Sequence, residues 1–309
     1  MGTLAKAALC GLYKYSGAMA VEEALVYRAG GSRLAVLVFH RVTDEIPEDG
    51  LTVGTARFRA ICDLLRRRFR VVPLGEVFCL TRCGAPAPRR TVAVTIDDCY
   101  RDNLPAARVL AEHGLPACFF VPTAFVGTDH VFPWDRHLKR LGNLSWDEVR
   151  QIADLGFEVG SHSVTHSDFA TLSVAHARRE LAESRAVLEE RLGRRVRWFA
   201  YPFGGRNNFP PEWLPLLEEA GYEGAVSAYG GLVVPGGPAP LLPRVPAPAF
   251  GSLAHLELHL AGCLQWFYGA KDRLGLLNRV ETVTTAAYPE YRSDAPRPAA
   301  PGGAAHSAR

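Results

Sequence analysis

Short apolar runs of strand length recur along this chain, each followed by a stretch whose apolar residues fall at helical spacing. Leu34 to Phe39 is the first run, and Phe58, Ile61, Leu64 and Leu65 follow it at intervals of three and four. The strand pattern returns at Val71-Val72, Val92 to Ile96, Ala117 to Val121, Phe157 to Val159, Arg197 to Ala200, Gly224 to Ser227 and Leu241 to Val245. Helices fill the intervals. Leu104 to His113 is closed by Gly114 with Pro116 beyond it, and Ser145-Trp146-Asp147-Glu148 is a capping box opening a helix that Gly156 stops. Leu181, Leu188 and Leu192 stripe a longer helix ending near Gly193, and Pro211 to Ala220 forms another. Strands alternating with helices at this spacing call for a mostly parallel sheet. With about seven such units and no second core, the expected fold is α/β: an incomplete or distorted (β/α) barrel of about seven parallel strands.

The 309 residues suit one such barrel, and 48% hydrophobic composition is ample for its core. Residues 1–30 read as an N-terminal helical extension, 31–275 as the barrel, and 276–309 as a C-terminal tail. From Arg292 onward the tail is rich in Pro, Ala and Gly and is expected to be disordered. A net charge of +3, from 35 basic and 32 acidic residues, is too small to call for nucleic acid, and Arg66-Arg67-Arg68 reads as a solvated helix face. Seven cysteines, an odd number, make no disulfide framework. No apolar run has the length of a membrane span, and Lys6 interrupts the apolar start. The expected location is cytoplasmic, or peripheral at the inner membrane.

In such barrels the chemistry sits at the C-terminal ends of the strands. Four unusual segments fall there: Phe39-His40, Thr95-Ile96-Asp97-Asp98-Cys99, Ser161-His162-Ser163-Val164-Thr165-His166, and Phe199-Ala200-Tyr201-Pro202-Phe203-Gly204. Consecutive strand side chains point to opposite faces, so Asp97 and Asp98 share one site only if the pleat ends between them. Two close carboxylates repel unless one is neutralised or a cation lies beside them. Two histidines four apart can face one point on a turn. One Asp with two His leaves room for water, as catalytic zinc requires, and the other Asp would serve as base toward an activated water. The stretch from Gly127 to Asn143 is long for this fold, and its Trp134 either stacks on a sugar ring or packs into the barrel rim.

These segments resemble the motifs of the polysaccharide deacetylase family, also called the NodB-homology or family 4 carbohydrate esterases. Thr95-Ile96-Asp97-Asp98-Cys99 resembles its T-F-D-D-G, His162 to His166 its H-[ST]-x-x-H, and Phe199 to Gly204 its F-R-x-P-Y-G. The likeness runs from about Leu34 to Pro248. It implies a hydrolase that removes N-acetyl groups from an amino-sugar glycan or a lipid-linked sugar, in exopolysaccharide or cell-surface polysaccharide synthesis. It further implies Asp97 as general base, and Asp98, His162 and His166 as ligands of a divalent metal, Zn2+ by preference. The backbone N–H of Phe203 would bind the oxyanion, with Tyr201 and Trp134 as substrate contacts.

Three departures from the family pattern stand out. Cys99 replaces a glycine, and its thiol either packs or touches the metal. Ala200 stands where an arginine usually pairs with the base, and Arg244 is the expected substitute. The late L-x-H that supplies the acid has no clear match: His255 and His259 lie in a helical run, so His40 is the candidate. Two other readings remain: a C–N hydrolase acting on a small amide or ureide, and a catalytically silent glycan-binding barrel.

Overall fold

The computed structural model describes residues 3–28, 33–84, 87–205, 208–209, 213–236 and 241–263. Its strands are β1 (Leu34–Phe39), β2 (Arg41–Val42), β3 (Thr52–Val53), β4 (Arg70–Val71), β5 (Thr91–Ile96), β6 (Cys118–Val121), β7 (Glu158–Ser161), β8 (Trp198–Ala200), β9 (Gly224–Gly230) and β10 (Leu241–Pro246). Every pairing is parallel, in the order β1-β10-β9-β8-β7-β6-β5, and β1 pairs again with β5 along its whole length. The ring therefore closes with seven strands.

The distortion has an identifiable source. One edge of β5 is taken by β1, from Leu34↔Thr91 to Phe39↔Ile96. The other edge is shared: β4 pairs at Thr91 and Val92, and β6 only at Thr95 and Ile96. A two-residue strand is thus wedged between β5 and β6 at the N-terminal end of the barrel. β2 and β3 form a separate small sheet beyond the end of β1.

The helices are α1 (Thr3–Tyr15), α2 (Ala18–Arg28), α3 (Thr55–Arg68), α4 (Leu74–Cys83), α5 (Asn103–Glu112), α6 (Trp146–Asp154), α7 (Val174–Leu192), α8 (Leu214–Glu219) and α9 (Leu253–Leu260). The capping box of α6 is complete, with Glu148 N–H donating to the Ser145 hydroxyl and Ser145 N–H to the Glu148 carboxylate. β1 and β5 are buried at every residue because both of their faces are covered. Alternate residues separate into two layers. Leu37, Phe39, Val94, Ile96, Phe119 and Phe199 face the surrounding helices, where Phe39 meets Phe58 of α3 edge-on at 5.1 Å. Burying a side chain of that size stabilises by about 1.5–3 kcal/mol.

Leu34, Val36, Ala93, Phe120, Trp198, Ala200 and Leu242 face inward together with Leu74, Val77 and Phe78 of α4. Helix α4, which the periodicity did not reveal, therefore plugs the barrel floor. Phe78 stacks on Trp198 at 4.5 Å, and Glu158 at the start of β7 accepts from both Leu74 N–H and the Trp198 indole. Cys83 ends this helix and Cys79 lies within it, both exposed and not joined in a disulfide.

The N-terminal helices pack on α9 through Cys10, Met19, Leu258 and Cys263. Glu257, with no exposure, binds Lys14 of α1, Arg68 of α3 and Arg90. His255 and His259 lie on α9 against Phe250, at ring separations of 4.8 and 5.0 Å. The expected tail 276–309 lies outside the described residues.

Candidate metal and catalytic site

Period-two alternation fixes what reaches the barrel mouth. His40 continues the inward parity of Leu34 and Val36, Thr95 and Asp97 that of Ala93, and Arg244 that of Leu242. Arg244 has no exposure, and its Nη1 and Nη2 donate side by side to Asp97 Oδ1 and Oδ2 at 2.8 and 2.6 Å. Nη1 also donates to Thr95 Oγ1 at 2.9 Å, Nε to the Ser227 carbonyl, and the guanidinium carbon lies 5.6 Å from the Phe120 ring centre. A planar fork matched to both carboxylate oxygens is the strongest arrangement of this pair. Burial pushes the Asp97 carboxyl up, but the charge of Arg244, aided by His162, outweighs it and holds the group below its usual range.

By parity Asp98 would face the helices. It does not, because the backbone turns left-handed there, with φ +77° at Asp98 and +63° at Cys99. The other loops of the site do likewise, at Ser163 (+66°), His166 (+54°) and Phe203 (+61°). Among the described residues one further non-glycine, Arg90, has positive φ, so this strain is concentrated where the carboxylates and imidazoles converge. Each such residue costs about 1–3 kcal/mol, offset by the surrounding fold. Cys99 adopts the conformation that glycine would take more cheaply. Its side chain packs in the layer of Leu104 and Leu144, and burial lifts the thiol to about 12, so it is a neutral packing group.

Asp98, His162 and His166 meet as a group that could hold a metal ion, their ligand atoms all within 4.8 Å of one another. Asp98 Oδ1 lies 3.3 Å from His162 Nε2 and 3.3 Å from His166 Nε2. His162 Nδ1 donates to the Ala200 carbonyl at 2.7 Å, which leaves the Nε2 lone pair of the neutral ring facing Asp98. Asp98 Oδ1 is buried and receives no hydrogen bond. A carboxylate oxygen opposed to a nitrogen lone pair is repulsive unless a cation lies between them. Ligands about 2.0–2.1 Å from a tetrahedral zinc stand about 3.3 Å apart. The donor set therefore fits a divalent metal. Burial raises the Asp98 carboxyl, and where the rings are protonated the hydrogen bonds from His162 and His166 outweigh it and hold the group well below its usual range. Burial lowers both histidines; for His162 the charges of Asp97 and Asp98 reverse the shift, whereas for His166 burial prevails.

A residue that the sequence reading passed over holds the loop between the histidines. Glu180 of α7 is 8% exposed, and its carboxylate accepts from Val164 N–H at 2.8 Å, Thr165 N–H at 2.9 Å and Thr165 Oγ1 at 2.6 Å. The available signal was an acid on the buried face of that helix, with Ala177, Leu181, Ser184 and Leu188.

The remaining candidates line the mouth or leave it. The buried His40 Nδ1 has no hydrogen-bond partner, and burial lowers the ring's pKa against the pull of Asp98 and Asp97. Phe203 lies with its ring 5.0 Å from His166, and half-buried Trp134 is 5.6 Å from His166 and 5.7 Å from Phe203. Gly204 follows at φ +56°, where an added Cβ would meet Ala228 N at 2.2 Å, so only glycine allows this turn to approach β9. Tyr201 is not brought to the site. Its parity is that of Phe199, and its ring packs on Phe169, Phe199 and Phe209 in the helix-facing layer, with centres 5.2, 5.0 and 4.9 Å away.

Comparison with known proteins agrees with this geometry. Residues 84–225 match the family model for polysaccharide deacetylases. Over that stretch the chain is similar to a polysaccharide deacetylase domain. Members of that family are hydrolases acting on C–N amide bonds. The curated protein named Putative polysaccharide deacetylase YxkH, of Bacillus subtilis (strain 168), is 24% identical over 203 residues, spanning 65% of this chain and 66% of YxkH. A gellan lyase of a Bacillus species is 34% identical over 124 residues, which are 39% of this chain and only 4% of the lyase. In fold, IcaB from Ammonifex degensii superposes with a TM-score of 0.60 at 24% identity, covering 74% of this chain and 97% of its own. The Streptococcus pyogenes deacetylase PplD, solved with acetate, gives 0.61 at 18% identity, covering 73% and 96%.

Proposed function

We propose that this protein is a metal-dependent hydrolase that removes N-acetyl groups from an amino-sugar glycan or glycan precursor, used in exopolysaccharide or cell-surface polysaccharide synthesis. The observation that carries the reading is one buried carboxylate, Asp97, gripped by Arg244 beside a separate Asp98–His162–His166 cluster. Adjacent carboxylates in such different surroundings are suited to different tasks. Asp98, His162 and His166 would hold the metal, most simply Zn2+, which when bound polarises the acetyl carbonyl and makes water a stronger acid.

Asp97 is the base. Held ionised by Arg244, it takes a proton from the attacking water, while its cationic partner keeps it from being protonated by the medium. The Phe203 backbone N–H stabilises charge on the former carbonyl oxygen as the carbon becomes tetrahedral. His40, inward-facing, passes to the sugar nitrogen the proton that Asp97 took from the water, as the C–N bond breaks, and both groups return to their starting states. Water adds across the amide, giving acetate and a free amine. Trp134 and Phe203 form the aromatic side of the cleft, against which a sugar ring stacks.

Within the expected extension 1–30, helices α1 and α2 dock on α9, and the expected barrel boundary at residue 275 lies outside the described residues. No helix among the described residues is long and apolar enough to cross a membrane, in keeping with a cytoplasmic protein or one peripheral at the inner membrane. The deciding experiment is acetate release from N-acetylglucosamine oligomers, peptidoglycan fragments and lipid-linked sugars, with wild type and Asp97→Asn. Release by the wild type, and its loss in a variant that still binds metal, is expected. Ring opening of a ureide without acetate release from any glycan would reject the assignment.

A further inference from the structure

Among the described residues two arginines are buried to 1% exposure or less: Arg244, paired with the base, and Arg41, which the proposed reaction does not use. Arg41 follows His40 directly and begins β2. Its fork reaches three segments at once. Nε donates to Thr52 Oγ1 at 2.9 Å, Nη2 to the two oxygens of Asp49 at 3.0 and 2.8 Å, and Nη1 to Asp135 Oδ1. Asp135 is next to Trp134 in the 3-10 turn Pro133–Asp135. Its second oxygen accepts from Tyr100 Oη at 2.5 Å, and Tyr100 stands two residues beyond Asp98. The Trp134 indole N–H in turn points to Tyr100 Oη at 3.4 Å. The base of the same loop is fixed separately, by Asn143 Nδ2 donating to the Thr128 and His130 carbonyls at 3.1 and 3.0 Å.

We propose that Arg41 is a positioning residue for substrate length: through Asp135 and Tyr100 it holds the Trp134 wall against the Asp98–His162–His166 cluster, and so sets how tightly a multi-sugar chain is gripped. The inference rests on the glycan reading above. One planar cation is shared by the small β2–β3 sheet, the aromatic wall and the turn carrying the metal ligand, so these elements keep a fixed mutual distance. Five fixed donors make this possible, and a lysine, with a single charge centre on a flexible stem, cannot serve all three acceptors. Trp134 then stands beside His166 without depending on its own loop for rigidity, as a site built on scaffold elements requires.

The test uses the metal-loaded full chain and N-acetylglucosamine oligomers of increasing length. Arg41→Lys, and Asp135→Asn as a second variant should the first fold poorly, are expected to raise KM for a pentamer about tenfold while leaving kcat and metal content within about twofold. Trp134→Ala alone should raise KM similarly, and adding Arg41→Lys to it should change KM by less than about twofold, because the two act through one wall. An unchanged KM in both single variants, or a full multiplicative effect in the double variant, overturns the proposal. If the wild type releases no acetate from any glycan, the deacetylase reading falls. Amide exchange over residues 128–142 then decides on Arg41: faster exchange confined to that loop in Arg41→Lys supports the positioning role, and unchanged exchange overturns it.

Discussion

Replacing Arg244 with glutamine removes the cation from a carboxylate that has nowhere else to turn. Asp97 is 1% exposed and takes two guanidinium hydrogen bonds, at 2.6 and 2.8 Å. Hydrogen bonds to a charged group contribute about 1.5–3 kcal/mol each, and breaking a buried ion pair from one side costs about 3–5 kcal/mol. For a domain of this size each kcal/mol moves Tm by about 2–4 °C, so a fall of about 10 °C is expected. The pH dependence is the more telling readout. In the wild type Asp97 is held below its unfolded value of about 3.9, so its contribution is present above that pH and is lost as pH falls through the depressed folded value.

Without Arg244, burial is left as the largest influence and the carboxyl moves up. The folded variant then binds a proton that the unfolded chain has already lost, and its stability falls as pH rises from 4 toward 7. Urea midpoints measured across that range, in chelator and again in excess zinc, read the reversal directly. Asp97→Asn added to Arg244→Gln should abolish it, because no charge remains to be stranded. Turnover should show the same shift, with the acid limb of the kcat/KM profile displaced upward in Arg244→Gln. A stability profile parallel to wild type, together with an unmoved acid limb, would refute the assignment of Arg244 as the partner that tunes Asp97.

Three further outcomes follow from the geometry. Glu180→Ala frees the N–H groups of Val164 and Thr165 between the two histidines, and zinc affinity by competition with a chromogenic chelator should weaken about 10–100-fold. Gly204→Ala drives a methyl toward Ala228 N, so the Phe203 turn must shift; kcat should fall at least about tenfold while zinc content, read by metal analysis, is kept. His40→Gln should bind zinc normally and lose about 10²–10⁴ in kcat on N-acetyl substrates, and unchanged turnover would remove His40 from the reaction.

Much of the barrel was legible because its strands are buried on both faces, which leaves unbroken apolar runs such as Leu34 to Phe39. Helix α4 was not, because its inward residues plug the barrel floor and its sequence, Leu74 to Cys83, sits between a two-residue strand and a loop without a clear stripe. The wedge of β4 between β5 and β6 likewise depends on register, which no local pattern encodes. At the site, one of the two adjacent aspartates could be grouped with His162 and His166 from their places at strand ends, and the resemblance to the deacetylase motifs singled out Asp98. Tyr201, expected as a substrate contact, faces the helices instead, because it stands one residue after the inward-facing Ala200. Glu180 was hidden for a similar reason, an acid on a helix face looking like a solvated charge until the loop over it is known.

The Asp97–Arg244 pair also bears on how the molecule is made. The two residues are separated by 147 positions, and Arg244 lies in β10, the strand that closes the ring by pairing with β1. Asp97 therefore leaves the ribosome long before its counter-ion, and a partly synthesised chain can bury β5 only with this carboxyl protonated or still wet. Docking of the last strand completes the barrel wall and brings the cation that keeps Asp97 ionised while buried. A chain cut short before Arg244 would lack the cation that holds Asp97 ionised, so under the proposed mechanism readiness of the base and closure of the fold arrive together.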